Sequence, residues 1–205
     1  MTLLRPQNVA AASVRTAGGT AVARRPTHGR WRLPGGVVVL AGWIGLCVAA
    51  SPVAATAGPR ATELRPLERS ILVEMNDLRR QRGLVPLRFS ASLAAAARHH
   101  STEMANRGYF RHTSASGEAF GRRLARFYPM GDHRYWSVGE NLLWSSVELN
   151  GAAALDLWLD SPNHREIMLN PRWLEVGVGA VYAHATGVYG GRDVTIVTAD
   201  FGVRR

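Results

Sequence analysis

The chain has 205 residues and a single cysteine, so one domain behind a leader is expected rather than a disulfide-stapled scaffold. Its formal charge of +10 would ordinarily raise nucleic acid as a partner. The excess is local, however. Residues 1–57 carry six arginines and no acid, while residues 58–205 carry 19 arginines against 15 acids, a net of +4. No nucleic-acid partner is expected of so mildly basic a body.

The N-terminal segment reads as an export signal or a signal anchor with a basic arm. Arg30 and Arg32 precede an uncharged stretch from Leu33 to Pro59 with an apolar centre between Val37 and Ala50. Pro52 breaks any helix there, and Ala55-Thr56-Ala57 supplies the small-x-small pattern of a cleavage site. Cleavage after Ala57 gives a secreted or envelope protein without cysteine. Retention gives a membrane anchor, and membrane contact is expected through this segment alone. The organisation is therefore a leader over 1–57, a short linker over 58–67 and a folded domain over 68–203.

The 148 residues from 58 onward suffice for an ordinary core. Leu67, Ile71, Leu72, Met75 and Leu78 recur at helical spacing, with Gly83 as a stop. A second helix fits Ser90 to Arg107 and ends at Gly108. A third fits Glu118 to Phe127. A fourth begins near Asn150 and places Leu155, Trp158 and Leu159 on one side. Ser161 then caps a short helix with Pro162 at its first position, where a missing N–H costs nothing. Val176 to Tyr182 and Val194 to Phe201 alternate as strands of a hairpin, with Gly190-Gly191 in the connection. Gly139 to Leu143 starts a further strand. Helices first and strands last predict an α+β domain with helices packed on an antiparallel sheet.

Few residues point to chemistry, and each has a plain structural reading. His164 lies three residues after the Ser161 cap, on the face of Ile167 and Met168. A helix N-terminus disfavours imidazolium there, which keeps the metal-ligating neutral form available. His112 sits in a loop-like run after Tyr109-Phe110. Glu140, between Gly139 and Asn141, has the setting of a turn-capping or arginine-paired carboxylate, and Asn141 that of an amide satisfying loop backbone. His99 and Glu103, four apart, are spaced to hydrogen-bond. Arg79-Arg80 and Arg122-Arg123 read as solvated helix faces. Gly177-Val178-Gly179 lacks the third glycine and following helix of a dinucleotide site, and no nucleophile elbow or P-loop is present.

Taken in order, Asn76-Asp77-Leu78-Arg79, Phe110-Arg111-His112-Thr113-Ser114, Gly139-Glu140-Asn141-Leu142, Trp158 with Ser161-Pro162-Asn163-His164-Arg165, Met168-Leu169-Asn170-Pro171, Val176-Gly177-Val178-Gly179 and Phe201-Gly202 resemble the CAP superfamily. This is the group of cysteine-rich secretory proteins, insect venom antigens and plant pathogenesis-related proteins, and the likeness is strongest to its short exported bacterial members. The resemblance covers about residues 68–203. It implies an α-β-α sandwich with a central antiparallel sheet and a cleft lined by two histidines and two acids, which in some members bind zinc or another divalent ion. His112, Glu140 and His164 fall at three of those places, with Asn141 beside them. Ser161 stands where the second acid is expected. Asp160 would point about 200° away from Trp158 in a continuing helix and does not replace it. Two readings of the cleft stand side by side. One is a binding module for a lipid or cell-wall ligand, with or without a metal. The other is a metal-dependent hydrolase with His112 and His164 as ligands and Glu140 as third ligand or base. A third, a purely structural role for these residues, also stays open.

Overall fold

The computed structural model describes residues 64–205 together with the backbone of residues 9–10 and 15–17. The apolar leader stretch and its cleavage motif lie outside the described residues. In chain order the elements are β1 (Val9–Ala10), β2 (Arg15–Ala17), α1 (Pro66–Gln81), β3 (Arg88–Phe89), α2 (Ala91–Arg107), α3 (Phe120–Phe127), β4 (Trp136–Ser145), α4 (Gly151–Leu159), α5 (Pro162–Met168), β5 (Glu175–Ala185) and β6 (Arg192–Arg204). Strands and helices thus interleave: β4 is the strand expected over Gly139 to Leu143, extended at both ends, and the two-residue β3 falls between α1 and α2, where the pattern gives no strand.

The sheet order is β1-β4-β6-β5-β3, with β2 also on the outer edge of β4. β4, β6 and β5 pair antiparallel over long ladders, while β3 joins β5 in parallel through two residues. A central sheet with helices on both faces matches the expected α+β sandwich, apart from that short parallel pair. α2 and α3 cover one face, and α1, α4 and α5 cover the other.

Local sequence explains the boundaries. The Ser90 side chain accepts from Leu93 N–H to start α2, and Gly108 ends it at φ +67. Asn150 caps α4 by accepting from Ala153 N–H. Pro162 opens α5 as expected, but Ser161 makes no side-chain cap. Pro162 and its missing N–H already reduce the number of orphan donors there.

Two glycines set the fit between layers. A Cβ on Gly177 would stand 1.9 Å from the Ala94 nitrogen, and one on Gly179 would stand 2.2 Å from the Arg98 nitrogen. The Gly-x-Gly pair therefore lets the backbone of α2 lie directly on β5, and Ala94 and Ala97 keep the helix face equally slim. On the opposite face Ile71, Met75, Leu155, Trp158, Met168 and Trp173 pack against Val176, Val178, Ala199 and Phe201. Trp158 is fully buried and its indole N–H donates to the Leu142 carbonyl at 3.2 Å.

The buried stripe of α1 is Glu68, Ile71, Met75 and Arg79, half of it charged. Arg79 is not a solvated residue. It donates to the carbonyls of Val85 at 3.0 Å, Met168 at 2.8 Å and Asn170 at 3.1 Å, tying α1 to the end of α5. Arg80, its neighbour, is exposed and pairs with Asp77 as expected of a surface arginine. Glu68 accepts from Arg98 of α2 and from the Ala180 backbone N–H at 3.1 Å, while Arg65 donates to the Ala180 carbonyl at 3.2 Å. These contacts satisfy polar groups on the open edge of β5 and clamp both helical layers around it. No helix among the described residues is long and apolar enough to cross a membrane.

Candidate functional site

His112 sits in the connection between α2 and α3, and two buried side chains hold that connection. His100 of α2 places its Nε2 2.9 Å from the Arg111 carbonyl, and Arg123 of α3 donates to the His112 carbonyl at 2.8 Å. A tight turn follows, with Ser114 N–H on the Glu118 carbonyl and Gly117 at φ +86. The loop histidine is therefore fixed through consecutive carbonyls, each gripped by a residue of a different helix. Burial, reinforced by the nearby Arg123 charge, pushes the His100 imidazole down to about 4 against the pull of Glu140 and Glu103. His100 is thus neutral and serves as a donor to the loop.

The His112 ring meets Glu140 of β4, with Nδ1 2.7 Å from Oε1. The other Glu140 oxygen accepts from Arg123 Nη2. Both Glu140 and Arg123 are fully buried. Burial alone would raise the Glu140 carboxyl, but the His112 hydrogen bond and the Arg123 charge outweigh it and hold it below the usual carboxylate range. An ionised Glu140 can only accept, so Nδ1 of His112 carries the proton and donates. The other ring nitrogen, Nε2, is buried with no hydrogen-bond partner among the described residues.

His112 and Glu140 are thus brought together. Arg123 completes the group and corrects the expectation of a solvated Arg122-Arg123 pair: Arg122 is exposed, while Arg123 is the buried cation of the site. Their alternation follows from adjacent positions on a helix pointing about 100° apart. His99 and Glu103 do not pair as their spacing allows. Glu103 accepts from the Tyr109 hydroxyl at 2.5 Å, and His99 lies against Phe127.

Asn141 points to the opposite face of the sheet from Glu140. There its amide donates to the His164 carbonyl at 3.0 Å, so it does satisfy backbone, though from a strand rather than a loop. His164 is buried on α5 with Ile167 and Met168, as its spacing predicts. Ser161 is half-buried at the start of α5, and Asp160 is exposed at the end of α4. One acid escaped the sequence reading altogether. Asp200 of β6 stands directly across the ladder from Glu140 and is fully buried. Its signal was the one charged residue inside the otherwise uncharged strand run Val194 to Phe201.

A divalent ion held by His112, His164 and Glu140 does not fit this arrangement. Both Glu140 oxygens are engaged by donors, and the Arg123 guanidinium beside them opposes further positive charge. Among the described residues no group of three or more His, Cys, Asp or Glu side chains is placed to hold a metal. Glu140 instead has the geometry of a carboxylate that orients an imidazole.

The model of the cysteine-rich secretory protein family, CAP, matches residues 72–201. The chain is 33% identical over 112 residues to an uncharacterized membrane protein, YlbC, of Bacillus subtilis (strain 168), covering 55% of this chain and 31% of that one. It is 29% identical over 114 residues to an uncharacterized protein, YkwD, of the same organism, covering 56% of this chain and 42% of that one. The chain therefore spans only about a third to two fifths of the length of these curated relatives. Among solved structures it is similar to an extracellular protein containing an SCP domain from Bacillus anthracis str. Ames, at 29% identity and TM-score 0.51, covering 67% of this chain and 40% of that one. The ordered motifs, the helix-sheet-helix layering and the family match agree, and the chain belongs to the cysteine-rich secretory protein (CAP) family.

Proposed function

We propose that the protein is an exported binding module that holds the polar part of a cell-envelope ligand, a lipid or a wall component, against the His112 imidazole. The observation that carries this reading is the His112 Nε2 atom. It is buried and without a hydrogen-bond partner among the described residues, while Nδ1 is locked to Glu140. A buried ring nitrogen left unpaired costs free energy until a partner reaches it, so a hydroxyl or amide of a ligand, able to donate or accept, would gain by binding there. Export is supported by the apolar leader stretch from Leu33 to Pro59 and by the likeness to an extracellular SCP-domain protein. The hydrolase alternative requires His112 and His164 on one ion with Glu140 as third ligand or base, and no observation favours it over binding.

The test is binding of the purified exported protein to lipid extracts and to cell-wall fragments, followed by thermal shift. A ligand at a hundred times its dissociation constant should add about 2.7 kcal/mol to apparent stability. His112→Phe, which keeps a ring but removes both nitrogens, should abolish that gain. No shift with either class of ligand, or an undiminished shift in His112→Phe, would overturn the reading.

A further inference from the structure

Asp200 has a setting that the His112–Glu140–Arg123 group does not by itself explain. Directly opposed residues of an antiparallel pair project on the same face of the sheet, so Asp200 and Glu140 stand side by side beneath α2 and α3. On its other side Asp200 faces Gly177 of β5, where the α2 backbone takes the place of a side chain. Two residues along, Gly202 is covered by Tyr128 and Leu93. The surroundings are thus close-packed and largely apolar, and Arg123, the near cation, turns Nη1 to the His112 carbonyl and Nη2 to Glu140, while its Nε–H reaches no acceptor, Asp200 included, among the described residues.

Ionised, Asp200 would find no donor for either oxygen among the described residues. It would also set a second negative charge directly across the ladder from Glu140, an opposition that destabilises a sheet pair. Protonated, it gains an O–H, and Glu140, directly opposite it on β4, is the neighbouring acceptor. Burial and the Glu140 charge both raise the Asp200 carboxyl well above the usual carboxylate range, in keeping with that form.

We propose that Asp200 is the second acid of the site and its positioning residue: its carboxyl group donates across the β4–β6 ladder to Glu140 and so holds that carboxylate, and through it the His112 ring, in place. The acid expected at the position of Ser161 is thereby supplied from a different element, a strand of the central sheet. This inference deepens the reading of His112 as the ligand-facing group and rests on it for its functional meaning.

Its test needs no ligand, so its failure is separable from a failure to find one. In the full chain, isotope-labelled aspartate should show a carboxylic-acid carbonyl band in the infrared at neutral pH that disappears in Asp200→Asn. Asparagine keeps a donor toward Glu140, so the His112 ring resonances and the slow exchange of its Nδ1 proton should survive in that variant. Asp200→Ala removes the donor, and the same proton should exchange at least about tenfold faster in a chain that is still folded by near-ultraviolet dichroism. If the alanine variant does not fold, the infrared band and the asparagine variant still decide. A missing band in the unaltered protein, or loss of the slow proton in Asp200→Asn, would overturn the proposal. So would unchanged exchange in a folded Asp200→Ala.

Discussion

Acid should weaken this protein through His100, a buried residue of α2 that holds the loop carrying His112. The imidazole is buried on α2, donates to the Arg111 carbonyl and stays neutral because its native value lies at about 4 instead of 6.5. The sign follows directly. Between pH 6.5 and about 4 the unfolded chain binds a proton at this residue and the native chain does not. Stability is therefore fully present above 6.5 and falls as pH drops toward 4. The gap of about 2.5 pH units, at about 1.36 kcal/mol each, amounts to roughly 3 kcal/mol, lost at about 1.4 kcal/mol per pH unit. Glu68, Glu103 and Glu140, held below 4.5, add their own losses only at the acid end of this window. Asp200, raised, contributes in the opposite sense. Its stabilisation is complete below 3.8 and is lost as pH rises through its native value. The assay is urea unfolding of the unaltered chain and of His100→Gln, whose amide can take the place of the Nε2–H, at half-unit steps of pH. The difference between the two curves should flatten above pH 6.5 and change by about 3 kcal/mol on the way to pH 4. Parallel curves would refute the reasoning, because they would mean that His100 titrates alike in the folded and unfolded chain.

Arg123→Met should cost about 3–5 kcal/mol by urea unfolding, since it leaves Glu140 buried without its cation, and adding Glu140→Gln should recover more than half of that loss. Arg79→Met should lower stability by about 3 kcal/mol, because the carbonyls of Val85, Met168 and Asn170 each lose a buried donor. Gly177→Ala should cost more than about 4 kcal/mol or prevent folding, as its methyl would lie 1.9 Å from the Ala94 nitrogen in backbone that cannot yield locally. Gly117→Ala, with φ +86 and nothing within 4 Å of its methyl, should cost only about 1 kcal/mol in the same urea-unfolding comparison.

Helix limits were legible because they are local. Ser90 and Gly108 bracket α2, Asn150 starts α4 and Pro162 opens α5, each through hydrogen bonds or dihedral limits within a few residues of the chain. The ordered motifs also placed His112 and Glu140 in one site. Their partners were not legible. Arg79 and Arg123 look like the exposed residues beside them, and only the rotation of each helix against the sheet turns one arginine of each pair inward. Gly177-Val178-Gly179 read as part of a strand and of the family pattern, but the packing reason for its two glycines emerged only where α2 lies on β5.

By itself, the chain determined most element types and the helix limits, because these depend on short-range geometry, while the His112–Glu140 pair, 28 positions apart, was expected only through the family resemblance. Tertiary structure alone decided which charges are buried and what each one faces. Asp200 shows why. Its place beside Glu140 is set by the β4–β6 register, sixty positions apart in sequence, and its surroundings by a helix that presses on glycine. No local pattern encodes that neighbourhood, yet it governs which of the two carboxyl groups carries the charge.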